Sequence, residues 1–104
     1  MASTGHYLAT EAAVEILEAG GNAVDAGIAA CITLNVTQSD QVQFGGVAPI
    51  MLYLADSDEV LTISGLGWWP KAASLDYFVE ECGGEIPIGV RRSVVPAAPD
   101  AYIQ

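Results

Sequence analysis

The chain has very few basic residues. Its 104 residues include three Lys and Arg against thirteen Asp and Glu, and the formal net charge at pH 7 is −10. The only basic cluster is Arg91-Arg92, which is too small for a surface that follows a phosphate backbone. The charge balance therefore argues against a nucleic acid or an anionic membrane surface as a partner.

Metal-ligand spacings and long apolar runs are also missing. Cys31 and Cys82 lie far apart with no CxxC partner, so the sequence predicts no metal site. The longest apolar stretch, residues 26–36, contains Thr33 and Asn35 and is well short of the roughly twenty residues that a membrane helix needs. We expect Cys31 to be a buried small hydrophobe and Cys82 a free or partly exposed thiol.

No charged segment followed by an apolar one precedes the first helical pattern, so no signal peptide is visible. Two cysteines without a disulfide framework fit a reducing compartment better than an oxidising one. We therefore expect a cytoplasmic protein. A true start upstream of Met1 would make a periplasmic location possible.

Residues 6–29 predict two helices that meet at a corner, Gly20–Asn22. Apolar residues recur at helical spacing before the corner, and glutamates occupy the opposite side. The glycines would end the first helix because glycine accepts a positive φ, and Asn22 would cap the second. The second helix, roughly Ala23 to Leu34, is apolar on nearly every side and needs cover all round.

The rest of the chain predicts a hairpin and a further helix. The first strand is apolar on both faces, so we expect it to be covered on both sides. The helices and the hairpin together expose more apolar surface than they can hide from one another, which indicates part of a larger folded body. The predicted elements are a loop over Asn35–Gly46, strands over Val47–Leu54 and Val60–Ser64 with about five loop residues between them, a helix over Lys71–Cys82 ended by Gly83-Gly84, no regular element from Glu85 through Pro99, and a helix start at Asp100.

Few side chains suggest catalysis. His6 would need a nearby nucleophile and carboxylate to act as a general base, so we expect a structural role at the head of a helix. Asp25 lies in the first turn after Asn22, where the helix dipole favours a carboxylate, so we expect capping. Gly45-Gly46 could present backbone N–H groups to an oxyanion, although a tight turn explains the pair equally well.

Two adjacent pairs allow two interpretations each. Trp68-Trp69 follows the second strand and could line a substrate pocket; alternatively, one ring fills the core and the other covers a neighbouring subunit. Arg91 and Arg92 could hold a carboxylate through bidentate hydrogen bonds, or they could form surface salt bridges, which we favour.

The first residues resemble the start of the large subunit in the γ-glutamyltranspeptidase family. Members open with a His-Pro-Leu-Ala-Thr-Glu-Ala-like phrase, followed by Ile-Leu and by Gly-Gly-Asn-Ala-Val-Asp-Ala-Ala. The resemblance continues through Gly45-Gly46, the strand Ile50–Leu54 and Pro70, and it weakens after about residue 80. The matching residues are His6, Leu8-Ala9-Thr10-Glu11-Ala12, Ile16-Leu17 and Gly20-Gly21-Asn22-Ala23-Val24-Asp25-Ala26.

The resemblance implies a fold and a reaction. Members are N-terminal-nucleophile hydrolases with a four-layer αββα sandwich, and they include the enzymes of glutathione metabolism. The precursor cleaves itself, and the new N-terminal Thr of the small subunit is both nucleophile and, through its α-amine, base. By this resemblance, residues 1–104 are an N-terminal fragment of the large subunit, an incomplete α/β (α+β) domain, and the nucleophile lies beyond Gln104. No catalytic residue, metal or cofactor is expected here; the expected partners are the remainder of the large subunit, the small subunit with its Thr, and a small-molecule amide.

One departure from the family pattern concerns the substrate. Transpeptidases carry an Arg-Glu-x-Ala-Pro phrase after the second strand, and its Arg holds the α-carboxylate of the γ-glutamyl group. Counting back from Pro70, Leu66 occupies the Arg position and Gly67 the Glu position. We therefore expect Leu66, Trp68 and Trp69 to bind a substrate other than an ordinary γ-glutamyl compound, as in an acylase or a small amidohydrolase.

The missing Arg also allows a different class of protein. A relative without activity would keep the scaffold, lose substrate recognition and serve as a binding or assembly subunit.

A second departure from the family pattern is Val94–Pro99, which stands in place of a Gly-x-Pro-Gly phrase. We expect it to change the freedom of the backbone near the cleft.

Overall fold

A computed structural model describes residues 1–104 as a mixed α/β chain, which confirms the predicted class. It has four α-helices and one antiparallel two-stranded sheet. The elements in chain order are α1 (Tyr7–Glu18), α2 (Ala23–Thr37), β1 (Ile50–Leu54), β2 (Glu59–Ile63), α3 (Leu75–Cys82), a 3₁₀ turn (Val90–Arg92) and α4 (Ala98–Ile103).

The corner between α1 and α2 is formed as the sequence predicts. Gly20 has a φ of 90°, a conformation that a residue with a Cβ rarely adopts. The amide of Gly21 donates to the carbonyl of Ile16 at 2.9 Å, which closes the end of α1. The side-chain oxygen of Asn22 accepts from the amide of Asp25 at 2.9 Å and so caps α2.

Alanine is the only residue type that is fully buried. Ala9 and Ala13 on α1 face Ala26 and Ala30 on α2, and larger side chains such as Leu34 pack around these four. Small side chains let the two helix backbones approach closely, so many weak contacts replace a few large ones. The two further buried residues, Ala98 and Ala101, are alanines of α4.

Helix α2 is longer than predicted. It ends at Thr37, whereas the polar residues from Asn35 onward suggested a loop. Their side chains bond back to carbonyls one turn earlier: Asn35 donates to Cys31 at 2.7 Å, and Thr37 donates to Thr33 at 3.0 Å. The helix accepts the donor groups of these side chains, so their polarity does not end it, although the Oδ1 of Asn35 is buried without a hydrogen-bond partner.

The hairpin is present with a shorter loop than predicted. Strand β2 begins at Glu59 and ends at Ile63, so the loop is Ala55–Asp58. Asp58 takes a φ of 54°, and its carboxylate accepts from the hydroxyl of Tyr53 at 3.0 Å. The turn therefore ends at Asp58, and Glu59 pairs with Leu54 as the first residue of β2.

The expectation that β1 is covered on both faces is wrong for residues 1–104. Met51 is 75% exposed and Tyr53 is 62% exposed, whereas Leu52 and Leu54 on the other face are half-buried. The described residues supply cover on one face only. The side chains of Met51 and Tyr53 on the other face remain exposed.

The third helix begins later than predicted. Ser74 caps α3, because its hydroxyl accepts from the amide of Tyr77 at 3.1 Å, and the helix therefore starts at Leu75. The preceding Lys71–Ala73 forms a turn, closed by the amide of Ala73 on the carbonyl of Pro70 at 2.8 Å. Gly83 ends the helix with a φ of 67°, as predicted.

The last helix begins earlier than predicted. Helix α4 starts at Ala98, and Pro99 lies in its first turn. A proline is tolerated there because an amide in the first turn has no partner within the helix. The prolines after Glu85 therefore do not exclude regular structure, and the 3₁₀ turn at Val90–Arg92 is a second exception.

Large apolar side chains are exposed along the whole chain. Only six residues are buried, while twenty-two large apolar residues are exposed. This confirms that the helices and the hairpin cannot cover one another. No helix combines the length with the hydropathy that crossing a membrane requires.

The alanine interface predicts how the helix pair responds to a larger side chain. In the complete protein, Ala13→Leu adds three heavy atoms between α1 and α2, and we expect it to lower the free energy of unfolding by about 1–3 kcal/mol. Ala19→Leu is the matched control, because Ala19 is exposed at the end of α1. Thermal unfolding of the two variants checks this, and equal midpoints would contradict close packing at Ala13.

Candidate functional site

Three segments meet beside the carboxyl end of β2. They are the turn at Gly46, the loop Gly65–Pro70 and the segment Val95–Ala98. The carbonyl of Gly46 accepts from the amides of Ala97 and Ala98 at 3.2 and 3.3 Å. These bonds tie the start of α4 to the turn before β1, so segments about fifty residues apart in sequence share one surface.

Glycine lets the loop after β2 lie against its neighbours. Gly65 has a φ of 54°, and a Cβ there would overlap the carbonyl of Ala48, whose amide donates to the carbonyl of Gly65 at 2.9 Å. A Cβ on Gly67 would overlap the carbonyl of Val95. The loop therefore lies in backbone contact with two segments, which positions Leu66 between these two glycines.

Leu66 and Trp68 line a cavity of about 320 Å³ at this junction. The only charged residue in its wall is Asp100, whose carboxylate accepts from the side-chain amide of Gln104 at 2.7 Å. The side chains of this wall therefore offer an anionic ligand no cation, and besides the Trp68 indole, Ser64 and Gln104 are the only ones that can donate a hydrogen bond to it. The full lining is Ile63, Ser64, Gly65, Leu66, Gly67, Trp68, Val95, Pro96, Ala97, Asp100 and Gln104.

The two tryptophans separate onto different sides of the loop. Trp68 is 89% exposed, and Trp69 is 56% exposed. The Trp69 ring lies edge to face with the Phe78 ring of α3, with 6.0 Å between centroids. The alternative in which one ring fills the core is therefore wrong for the described residues. Of the pair, only Trp68 shares the cavity of Leu66.

Neither Arg91 nor Arg92 forms the expected salt bridge, since no carboxylate lies within ion-pair distance of either among residues 1–104. Arg91 donates from Nη1 to the sulfur of Cys82 at 3.3 Å and lies 5.3 Å from the ring centroid of Tyr77. Arg92 donates from Nε to the carbonyl of Ile86 at 3.0 Å. Both guanidinium groups thus bond to neutral atoms, and the carboxylate interpretation stays a prediction.

The candidate catalytic groups have structural roles in this geometry. His6 caps α1, because its Nδ1 accepts from the amide of Leu8 at 3.3 Å, as expected. Asn22 rather than Asp25 supplies the capping oxygen for α2. The amide of Gly46 donates to the carbonyl of Gln43 at 3.0 Å, so the tight-turn interpretation is correct and this N–H is not available to an oxyanion.

The cysteines and acidic residues do not form a reactive cluster. Burial raises the pKa of the Cys31 thiol, which lowers the fraction of reactive thiolate at neutral pH. Cys31 and Cys82 are both free and half-buried; this agrees with the prediction for Cys82, whereas Cys31 is less buried than predicted. No group of three or more His, Cys, Asp or Glu residues is placed to hold a metal ion.

Sequence reasoning missed Asp100, Gln104 and Val95 as neighbours of Leu66. The sequence indicated Asp100 only as the start of a helix, and no spacing pattern links it to a loop more than thirty residues earlier. The departure at Val94–Pro99 was the one signal near this segment. Its contact with Gly67 is what makes it part of the site.

Comparison with known proteins identifies related chains. The family model described as gamma-glutamyltranspeptidase matches residues 9–104. The glutathione hydrolase proenzyme of Bacillus subtilis (strain 168) is 35% identical over 91 residues, which are 88% of this chain and 16% of the relative. The acylase ACY 1 proenzyme of Pseudomonas sp. (strain V22) is 35% identical over 100 residues, 93% of this chain and 18% of that relative.

Two solved structures share the fold. The gamma-glutamyltranspeptidase of Helicobacter pylori superposes with a TM-score of 0.85 at 27% identity, covering 98% of this chain and 30% of that one. The gamma-glutamyltranspeptidase of Pseudomonas nitroreducens, complexed with L-DON, superposes with a TM-score of 0.80 at 28% identity, covering 98% and 32%. The chain spans less than a fifth of the length of these curated relatives.

The contact between Gly67 and Val95 predicts a position-specific effect of one methyl group. In the complete protein, Gly67→Ala must displace the loop or the segment at Val95, and we expect a loss of about 1–3 kcal/mol in the free energy of unfolding. Gly45→Ala is the matched control, because a Cβ there meets no atom within 4 Å. Denaturant unfolding of both variants checks this, and an equal loss at Gly45 would contradict it.

Proposed function

The chain belongs to the γ-glutamyltranspeptidase family, and we propose that the complete protein is an amide-cleaving hydrolase or acyltransferase whose acyl group is neutral and apolar. Residues 1–104 contribute the N-terminal part of its large subunit. The nucleophile is an N-terminal Thr released by self-cleavage, located outside these residues. The partners are then the remainder of the large subunit and the small subunit, and the protein works in the cytoplasm.

The cavity beside Leu66 carries this proposal. A γ-glutamyl donor brings an α-carboxylate, and a buried carboxylate needs a cation or several donors to offset the loss of its hydration. The cavity has no cation; its wall offers the Leu66 side chain, the Trp68 ring and the Asp100 carboxylate, with Ser64 and Gln104 as its only side-chain donors besides the Trp68 indole. Asp100 repels a carboxylate, whereas Leu66 and Trp68 gain from burying an apolar group.

The curated relatives include an acylase beside the glutathione hydrolases. The acylase ACY 1 proenzyme matches over a larger share of the chain than the glutathione hydrolase proenzyme does, at the same identity. Acylases therefore occur among the relatives that share this scaffold. The side chains around Leu66 favour the acylase.

Self-cleavage and turnover together test the proposal. We expect the purified complete protein to separate into two bands on a denaturing gel, and a Thr→Ala change at the cleavage point to leave one band. We expect kcat/KM for phenylacetyl p-nitroanilide to exceed that for γ-glutamyl p-nitroanilide by on the order of tenfold or more, because the γ-glutamyl carboxylate is left unpaired.

Two results would contradict these expectations. A single band with no turnover of either anilide would favour the non-catalytic scaffold or assembly subunit. Turnover of the γ-glutamyl anilide that equals or exceeds that of the phenylacetyl anilide, and that Leu66→Ala leaves intact, would restore the γ-glutamyl substrate.

A single substitution should shift the preference between the two donors. Leu66→Arg places a guanidinium in the cavity, and we expect it to lower the KM for the γ-glutamyl anilide by roughly tenfold through charge-assisted hydrogen bonds. Leu66→Met is the matched control, because it changes shape without adding charge. If both variants shift the KM equally, the charge in the cavity does not determine the donor.

A further inference from the structure

A second cavity is lined by Trp69, the residue that follows Trp68 in the loop that carries Leu66. It is open, has a volume of about 500 Å³ and is lined by Trp69, Glu85, Ile86 and Arg92. It contains one cation and one anion, in contrast to the first cavity, whose only charged residue is Asp100. Trp68 and Trp69 are consecutive, so each cavity has one of two adjacent tryptophans in its wall.

The guanidinium of Arg92 is held in place without being neutralised. Its Nε donates to the carbonyl of Ile86 at 3.0 Å, and its backbone amide donates to the carbonyl of Gly89 at 3.0 Å in the 3₁₀ turn. The two terminal nitrogens make no hydrogen bond or salt bridge within residues 1–104. A guanidinium anchored by Nε presents its terminal N–H groups as a planar fork that matches a carboxylate.

The tryptophan supplies a rigid apolar wall. The Trp69 ring is braced by Phe78 at 6.0 Å between centroids, while more than half of its surface is exposed. Ile86 adds an aliphatic side to the same cavity. Aromatic and branched groups bury large areas against such a wall.

Glu85 limits the charge of the ligand. Its carboxylate shares the cavity with the Arg92 guanidinium but does not pair with it, so the wall is neutral overall. One negative charge on a ligand can pair with the Arg92 guanidinium. A second negative charge has no cation to pair with and shares the cavity with the Glu85 carboxylate. The cavity therefore disfavours dicarboxylates and phosphates.

We propose that Arg92, Trp69 and Ile86 form a binding site for a monocarboxylate that carries an aromatic or bulky apolar group, with Glu85 excluding dianions. In the amide-cleaving enzyme, on which this extension rests, the site takes a carboxylate on the part of the substrate that lies outside the neutral acyl group. The amide would then pass over the loop between Trp68 and Trp69.

Calorimetry on the complete protein tests the site with 3-phenylpropanoate as the probe and succinate as the dianionic comparison. We expect the probe to bind and succinate not to bind under the same conditions. Arg92→Gln should weaken the probe by on the order of tenfold, because it removes a charge-assisted pair. Glu85→Gln should tighten the probe and allow succinate to bind.

Arg91→Gln is the matched control. Arg91 lies next in sequence but bonds to Cys82 and Tyr77 instead of facing the cavity, so its loss should leave binding of the probe unchanged. Arg92→Lys keeps the positive charge but removes the planar pair of terminal N–H groups. This variant replaces Arg92→Gln in the test if Arg92→Gln does not fold. We expect intermediate binding from that variant.

Several outcomes would overturn the site. They are no binding of the probe to the unchanged protein, binding that survives Arg92→Gln, equal losses in the Arg91 and Arg92 variants, or binding of succinate as tight as that of the probe. The probe needs no turnover, so binding without turnover of either anilide would refute the proposed reaction and leave the site standing. Turnover without binding of the probe would do the reverse.

Discussion

Close approach of one backbone to another, permitted by alanine and glycine, is the constraint on which the rest of this structure depends. Ala9, Ala13, Ala26 and Ala30 form the interface of the first two helices. Gly65 and Gly67 let the loop after β2 touch the carbonyls of Ala48 and Val95. A Cβ at either glycine overlaps backbone, which cannot move aside as a flexible side chain can. Both the helix pair and the candidate site are therefore positioned by small residues.

Charge distinguishes the two cavities that this arrangement creates. The cavity of Leu66 and Trp68 contains the Asp100 carboxylate and no cation, whereas the cavity of Trp69 contains both Glu85 and Arg92. In a chain of net charge −10, a guanidinium without a carboxylate partner is unusual, because carboxylates are plentiful. Burial of an unpaired charge is costly. Because Arg92 lies at an open cavity, its guanidinium stays hydrated until a ligand binds.

Local patterns predicted which elements exist but placed several of their ends wrongly. The corner at Gly20–Asn22 and the stop at Gly83 were correct, because each depends on a residue whose own conformation or hydrogen bond decides the outcome. Helix α2 continued past Asn35, because polar side chains bonded to the preceding turn. Helix α3 begins only after its N-cap, Ser74, and helix α4 begins early enough to contain Pro99 in its first turn. In each case, the end of the helix depends on which hydrogen bonds form or are missing, and the amino-acid composition does not show this.

The sequence by itself determined the family, the helix corner and the hairpin, since the signals for these lie in neighbouring residues, whereas the assignment of Leu66 to the position of the family's Arg stays a prediction. Only the tertiary structure brought Asp100 and Val95 to the loop of Leu66, separated Trp68 from Trp69, and left Arg92 without a carboxylate. These outcomes depend on backbone hydrogen bonds between distant segments, such as those from Ala97 and Ala98 to Gly46. No local pattern records them, because the contact partners lie tens of residues apart and are chosen by packing.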